Sequence, residues 1–266
     1  MMRSLWTAGS GMLAQQLNVD VIANNLANVN TTSFKKDRVE FKDLMYETIE
    51  RANILENEGR PVNLQVGHGT VPVSTVKSFT MGSLESTDNP LDLAINGEAF
   101  FMVLNPAGNV IYTRDGSFKV SMSEYGRILT TSEGYPVLDD TWNEIIIDVD
   151  IDKLVISEDG ELSYIDESGV TVPLGQRIGL VKFANVKGLE SIGRNYYAET
   201  DASGEPIPDW EQGERSIIMQ RYLETSNVQI VEEMVKLIVA QRAYEISSKA
   251  VQSSDEMMGI ANNLKR

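Results

Sequence analysis

The sequence contains no cysteine and a single histidine, His68. Without cysteine the chain cannot form a disulfide, a thiolate nucleophile or a Cys-ligated metal centre, and one histidine cannot build a multi-histidine metal site. Basic residues are also scarce, since 23 Lys and Arg stand against 39 Asp and Glu for a net charge of −16. That charge repels phosphates and anionic lipid headgroups. We therefore expect no metal, no cofactor and no nucleic acid partner.

Long apolar runs are absent as well. No stretch approaches the ~20 apolar residues of a membrane-spanning helix, and the amino terminus lacks the basic, apolar and cleavage regions of a signal peptide. A length of 266 residues predicts about two domains.

The negative charge is concentrated in the middle of the chain. Residues 1–30 carry one Arg and one Asp, and residues 226–266 carry five basic and five acidic side chains. The whole net charge therefore belongs to residues 31–225. We expect this middle part to face solvent and the neutral ends to be buried or in close contact with a partner.

The first 30 residues have the periodicity of a helix. Their apolar residues repeat at steps of three and four, which makes a heptad-like row on one face. Several asparagines near residue 30 favour an end of the helix there. The members of this row that we predict to form an assembly interface are Leu5, Met12, Val19, Ile22 and Leu26.

The last 40 residues predict a second, longer helix over 226–265. Ser226 followed by Gln229 resembles a capping box at its start. If it is unbroken, this helix is roughly 60 Å long, which is more than a domain of this size needs for its own core. The predicted interface residues on it are Val228, Val231, Val235, Ile238, Tyr244, Ile246, Met257 and Leu264.

Between the helices the apolar period changes to two, and turn residues multiply. The apolar run 99–104, the turn 105–109 and the run 110–113 predict a β-hairpin. Further turns are predicted at 125–127, 158–160 and 168–169. Short strands separated by glycine-containing turns favour an antiparallel sandwich or barrel-like domain.

These patterns together predict an α+β fold. Long N- and C-terminal helices form a coiled-coil-like core domain, and an antiparallel all-β domain is inserted between them. The predicted bounds are 1–50 and 215–266 for a discontinuous helical assembly domain, 51–90 and 186–214 for a connecting extended or β region, and 91–185 for an outer β domain. The helices could form a simple coiled-coil dimer or drive a more extensive self-assembly.

Residues 113–117, Thr-Arg-Asp-Gly-Ser, allow two interpretations. Asp-Gly between strands predicts a tight turn, and a surface loop could also make a functional contact.

Four stretches resemble the flagellar axial proteins of bacteria, the family that forms the rod and the hook. They are NLANVNTTSFKK at 25–36, DLAINGEAFF at 92–101, YTRDGSF at 112–118 and LETSNV at 223–228, with QRAYE at 241–245 in support. Ser33 and Ala99 stand where this family usually has glycine. The residues that carry the motif, and that we list as candidate site residues, are Asn25, Asn28, Phe34, Asn227, Gln241 and Arg242.

The resemblance implies a structural subunit without enzymatic activity, and the chain length resembles rod subunits, in particular those of the distal rod. It implies a helical polymer of this chain that crosses the periplasm in the basal body and transmits torque to the hook. The implied partners are further copies of the chain, proximal-rod and hook-side axial proteins, the surrounding ring proteins and the flagellar export apparatus. Export would then occur without a cleaved signal peptide.

Two alternatives stand beside this interpretation. Within the family, the chain could be a hook or proximal-rod subunit. From another class, it could be a secreted β-domain enzyme that acts on polysaccharide and dimerises through helical ends.

Overall fold

The structure, a computed structural model, describes residues 2–50, 63–123, 126–166, 170–211 and 215–263. The chain divides into two compact units. Unit 1 consists of Met1–Ala27, Asp37–Lys77 and Gln229–Arg266, and unit 2 consists of Asn28–Lys36 and Ser78–Val228. The predicted α+β class is confirmed, because two terminal helices flank many short antiparallel strands. The three-part division of the chain stays a prediction.

The two helices of unit 1 are α1, Met2–Ala27, and α2, Ile230–Asn263. With 34 residues, α2 is about 51 Å long. The predicted capping box is wrong, and α2 begins four residues later than expected. The Ser226 hydroxyl accepts a hydrogen bond from the Val228 N–H, and the first helical bond runs from the Glu233 N–H to the Gln229 carbonyl.

Four strands complete unit 1 and form two separate antiparallel pairs. β1 pairs antiparallel with β4, with a bulge between Glu40 and Phe41, and β2 pairs antiparallel with β3. Both pairs leave many side chains exposed. The strands are β1 Asp37–Asp43, β2 Tyr46–Glu50, β3 Leu64–Gly67 and β4 Thr70–Lys77.

Unit 2 consists of short antiparallel strands. Its largest sheet has six strands in the order β15-β16-β8-β7-β14-β17, and β11-β12-β13 form a three-stranded sheet. Three further pairs are β9-β10, β6-β18 and β5-β19. The strands are β5 Leu84–Ser86, β6 Leu93–Asn96, β7 Phe100–Leu104, β8 Val110–Thr113, β9 Lys119–Ser123, β10 Gly126–Thr130, β11 Leu154–Ile156, β12 Glu161–Ile165, β13 Thr171–Arg177, β14 Leu180–Lys182, β15 Glu190–Gly193, β16 Tyr196–Ala198, β17 Ile207–Pro208, β18 Ile217–Gln220 and β19 Tyr222–Glu224.

The core of unit 2 lies on both faces of β7. Phe101 packs into a cluster with Phe118 and aliphatic side chains, and Phe100 packs on the other side against Phe183 and Tyr197. Adjacent strand residues point to opposite faces, so the apolar run 99–104 contributes to clusters on both faces of the strand. This explains why that run does not alternate with polar residues.

The predicted hairpin is confirmed, because β7 and β8 pair antiparallel and the Asn105 N–H donates to the Asn109 carbonyl at 2.8 Å. The turn at 158–160 is also confirmed, since it joins β11 to β12 with Gly160 at φ +82°. Of the other predicted turns, 168–169 and residue 125 lie outside the described residues.

Candidate assembly surface

The two helices of unit 1 run antiparallel and meet through small and polar side chains. The hydroxyls of Ser4 and Ser254 are 3.2 Å apart, and Asn25 Nδ2 donates to Glu233 Oε2 at 3.4 Å. The first residues of α1 therefore lie beside the last turns of α2, and the last turn of α1 lies beside the first turn of α2. The residues of α2 that are buried are Glu233, Ala240 and Ser254, spaced by seven or fourteen residues on one helix face.

Asn25, one of the motif residues, is buried where α1 ends. Its side chain forms a two-point contact with Asp37, because Nδ2 donates to the carbonyl and Oδ1 accepts from the N–H, both at 2.9 Å. Glu233 also binds Lys236 Nζ at 2.8 Å, and this hydrogen bond raises the pKa of Lys236. Asn25 thus connects α1, β1 and α2 within unit 1.

The opposite face of α2 is apolar and exposed. Val231, Val235 and Ile238 each stand two residues from Glu233 or Ala240, which is roughly 200° of rotation around the helix. Val231 is 77% exposed and Ile246 is 67% exposed. Exposed apolar surface of this kind is typical of a site that contacts another molecule.

The other predicted interface residues lie in different environments. On α1, Ile22 is buried, and Leu5, Met12, Val19 and Leu26 are partly buried. Val228 is buried within unit 2, while Tyr244 and Met257 are exposed. Leu264 lies outside the described residues. The predicted interface residues therefore differ widely in exposure within the single chain.

Sequence reasoning missed the most exposed apolar residues of α1. Trp6 is 76% exposed and Leu13 is 68% exposed. They line an open groove of about 550 Å³ together with Leu5, Met12 and Tyr244. The sequence carries a signal for them, because they are large apolar residues of a helix that do not belong to the row predicted as the interface.

The motif residues Gln241 and Arg242 are both exposed on α2. Arg242 Nη1 donates to Glu245 Oε2 at 2.7 Å, three residues further along the helix. Exposed pairs of this kind contribute little to stability. These two positions are therefore available to a neighbouring molecule.

A buried ion cluster in unit 2 brings three of the family-like stretches together. Lys35 Nζ lies 2.5 Å from Glu224 Oε1, and Arg114 Nε lies 3.0 Å from Glu224 Oε2. All three residues are at most 2% exposed. Burial, together with the charge of Arg114, lowers the pKa of Lys35 to about 8, although Glu224 opposes this shift. Burial alone would raise the pKa of Glu224, but Arg114 and Lys35 outweigh burial and hold it below its usual value.

Arg114 corrects the expectation for residues 113–117. Its guanidinium donates to the carbonyls of Gly97 and Ala99, each at 3.0 Å, and lies over the Phe100 ring. Arg114 is therefore a buried connecting residue and not a contact on a surface loop. The sequence signal for it was a charged side chain inside an otherwise conventional turn motif.

Asn227 lies beside this cluster and binds the neighbouring chain segments. Its Oδ1 accepts from the Lys36 N–H at 2.8 Å, and its Nδ2 donates to the Ser78 carbonyl at 2.7 Å and to the Thr80 carbonyl at 3.1 Å. Phe34 is buried close by, and its carbonyl accepts from the Asn227 N–H. Asn28 accepts the Thr31 N–H and hydroxyl in the turn that precedes this segment.

The two positions where glycine was expected behave differently. Ser33 has φ +55°, the left-handed conformation that glycine adopts without strain. Its N–H donates to the Glu224 carbonyl and its hydroxyl to the Arg114 carbonyl, both at 2.8 Å. Ala99 is fully buried, and its φ is not in the left-handed region.

Comparison with known proteins identifies the family of the chain. Residues 5–35 match the family described as "Flagella basal body rod protein", residues 94–164 match "Flagellar hook protein FlgE/F/G D1 domain", and residues 219–264 match "Flagellar basal body rod FlgEFG protein C-terminal". The flagellar basal-body rod protein FlgG of Borreliella burgdorferi is 51% identical over the full length of both chains. The chain belongs to the flagellar basal-body rod protein family.

Other rod proteins are similar over nearly the whole chain. FlgG of Buchnera aphidicola subsp. Schizaphis graminum is 45% identical, covering 97% of this chain and 98% of its own, and FlgG of Caulobacter vibrioides is 42% identical, covering 99% and 100%. The chain is therefore a structural protein of the flagellar basal body and not an enzyme. The alternative of a polysaccharide-acting enzyme is set aside on this ground.

A solved structure, the flagellar hook protein FlgE2 of Helicobacter pylori, is a much weaker match. It is 15% identical, covers 62% of this chain and 47% of its own, and has a TM-score of 0.25. That likeness is too low to bear on the fold. Among the described residues of the rod protein, no helix is long and apolar enough to cross a membrane.

Proposed function

We propose that the chain is a subunit of the distal rod that polymerises into a helical tube through the apolar faces of its terminal helices. In this proposal the helices pack in a coiled-coil-like core, the tube crosses the periplasm, and torque passes along it to the hook. Full-length similarity to several basal-body rod proteins named FlgG favours a rod subunit over a hook subunit.

The exposed apolar face of α2 is the observation that carries the proposal. Val231, Val235, Ile238, Ile246 and Ile260 are each more than half exposed in the single chain. Complete burial of one such side chain stabilises an assembly by about 1.5–3 kcal/mol. The contact between α1 and α2 within one chain is made of small and polar side chains and leaves these apolar residues exposed. Their burial against another copy would therefore favour assembly.

The charge distribution also supports assembly through the terminal helices. Residues outside 31–225 carry no net charge, so the helices can pack closely against copies of themselves without repulsion. The acidic residues of unit 2 would then stay in contact with solvent. Close-packed helices deform little under load, which is what a torque-bearing tube requires.

We also propose the partners that the chain contacts in the basal body. They are other copies of this chain, proximal-rod and hook-side axial proteins at the two ends of the tube, the ring proteins around it, and the export apparatus that delivers the subunit. Delivery by that apparatus would need no cleaved signal peptide.

The substitution Val235→Asp tests the proposed interface. A carboxylate at this position stays hydrated in the monomer but would be buried without a partner in the assembly, at a cost of several kcal/mol. The matched control is Met122→Asp, which places the same charge at an exposed apolar position of unit 2. We expect concentrated wild type and Met122→Asp to sediment as polymers and Val235→Asp to remain monomeric. Equal polymerisation of all three proteins would remove α2 from the interface.

A further inference from the structure

Three chain segments meet where the chain enters and leaves unit 2. The Ser78 N–H donates to the Lys36 carbonyl at 2.9 Å, and the Ser33 N–H donates to the Glu224 carbonyl at 2.8 Å. The Thr225 N–H donates to the Ser83 carbonyl at 2.8 Å. The segments 33–36, 78–83 and 224–228 are therefore joined by backbone hydrogen bonds although they lie far apart in the sequence.

Asn227 adds side-chain bonds to this junction. Its amide group accepts from Lys36 in the first segment and donates to Ser78 and Thr80 in the second, while its own backbone belongs to the third. A side-chain amide offers both donors and an acceptor, so one residue satisfies groups on two other segments. No aliphatic or ionic side chain of this size can replace it.

Glu224 supplies the negative charge of the junction. Oε1 accepts from Lys35 Nζ and, at 2.8 Å, from the Gly82 N–H, and Oε2 accepts from Arg114 Nε. Lys35 also donates to the Thr80 carbonyl at 2.9 Å. The cluster contains two buried cations and Glu224 as the carboxylate that both contact. Without Glu224, both cations would be buried with no neutralising charge, which is strongly unfavourable.

We infer that Lys35, Arg114, Glu224 and Asn227 form a clasp that makes the three segments of unit 2 open and close as one cooperative element. Lys35 and Arg114 precede Glu224 in the sequence, so their carboxylate partner is synthesised only with the segment 224–228. During synthesis, which proceeds from the N-terminus, the junction therefore stays open until residues 224–228 are present. The sheet of β11, β12 and β13 contains none of the four clasp residues and packs Leu154, Ile156 and Leu162 into an apolar cluster, so its local protection does not depend on the clasp. This inference is independent of the proposed polymerisation.

Hydrogen exchange of the full chain, followed by mass spectrometry, tests the clasp. Glu224→Gln keeps the shape of the side chain but removes the charge. We expect exchange to accelerate about tenfold or more in 33–36, 78–83 and 224–228 together, with β12 and β13 unchanged. Asn227→Ala should accelerate the same three segments.

The double variant Lys35→Met, Glu224→Gln distinguishes a clasp from ordinary packing. Removal of one buried cation leaves less uncompensated charge, so exchange in the three segments should be slower than in Glu224→Gln alone. If Glu224→Gln does not fold, recovery of folding in the double variant supports the clasp. Acceleration confined to residues near 224, or a double variant as fast or as unfolded as the single one, would overturn it.

Discussion

Lys35 and Glu224 are in direct contact, with Nζ and Oε1 2.5 Å apart, although 189 residues separate them in the sequence. Each lies in a stretch that resembles the flagellar axial proteins, one near the N-terminus and one before the last helix. Neither side chain reaches water, since their exposed fractions are 0% and 1%. A charged pair of this kind fixes the two ends of unit 2 to each other.

The buried ammonium group of Lys35 predicts an unusual pH dependence of stability. Its pKa is about 8 in the folded chain, below the ordinary lysine value of 10.5, chiefly because burial disfavours the charged form. Between pH 8 and 10.5 the unfolded chain binds more protons than the folded chain, so the free energy of unfolding rises with pH in that window. The rise is at most about 1.4 kcal/mol per unit of pKa difference.

Urea unfolding of wild type and Lys35→Met at pH 7.5 and pH 10 measures this effect. Burial raises the pKa values of Tyr112 and Tyr196, so both proteins share an opposing loss of stability where unfolded tyrosine ionises. The difference between the two proteins removes that shared part. We expect wild type to gain stability relative to Lys35→Met as the pH rises. A difference that does not change with pH would show that Lys35 titrates as it does in the unfolded chain.

At Ser33 we expect substitution by glycine to destabilise the chain less than substitution by alanine. Its left-handed backbone costs a residue with a Cβ about 1–2 kcal/mol, and its hydroxyl bond contributes about 0.5–1.5 kcal/mol. Ser33→Gly loses the bond but relieves the strain, so its stability should stay within about 1 kcal/mol of wild type. Ser33→Ala loses the bond and keeps the strain, so it should be the less stable variant. Thermal or urea unfolding of both variants measures their stabilities. If Ser33→Ala were the more stable variant, the backbone of Ser33 would not be strained.

Unit 2 is predicted to fold as a soluble monomer when freed from unit 1. Lys36 and Ser78 are joined by a backbone hydrogen bond, so a Gly/Ser linker of about four residues can replace 37–77 in a fragment that spans 28–228. The deleted part holds five basic and seven acidic residues, so the fragment keeps a net charge of −14. Self-repulsion at this charge opposes association.

Sedimentation and circular dichroism of this fragment check the prediction. We expect a monomer with a β-type spectrum at all concentrations. The matched control is the same fragment that ends at residue 222, which lacks Glu224 and Asn227. It should be more sensitive to protease, because the junction cannot close. Higher oligomers of the 28–228 fragment would show that unit 2 carries association by itself.

The sequence predicted the local features of the fold better than the distant contacts. The helical period of α1 and α2 and the hairpin of β7 and β8 depend on neighbouring residues, so pattern alone revealed them. The start of α2 was predicted too early, because Asn227 is held by Lys36, Ser78 and Thr80 from distant parts of the chain. No local pattern contains that information.

The faces of α2 show a second limit of pattern reading. Apolar periodicity selected Val231, Val235 and Ile238, which are exposed, whereas α1 packs against the row that contains Ala240 and Ser254. In a chain built for assembly, the strongest apolar row need not face the chain's own core. The predicted interface residues on α2 therefore remain candidates for contact with another copy.

Negative-stain electron microscopy of the concentrated full chain shows whether α1 and α2 drive assembly. We expect tubes for the wild type and for Met122→Asp, and dispersed particles for Val235→Asp and for the 28–228 fragment without residues 37–77. Wild-type protein that stays monomeric at every concentration, or tubes formed by the fragment without terminal helices, would contradict assembly through α1 and α2.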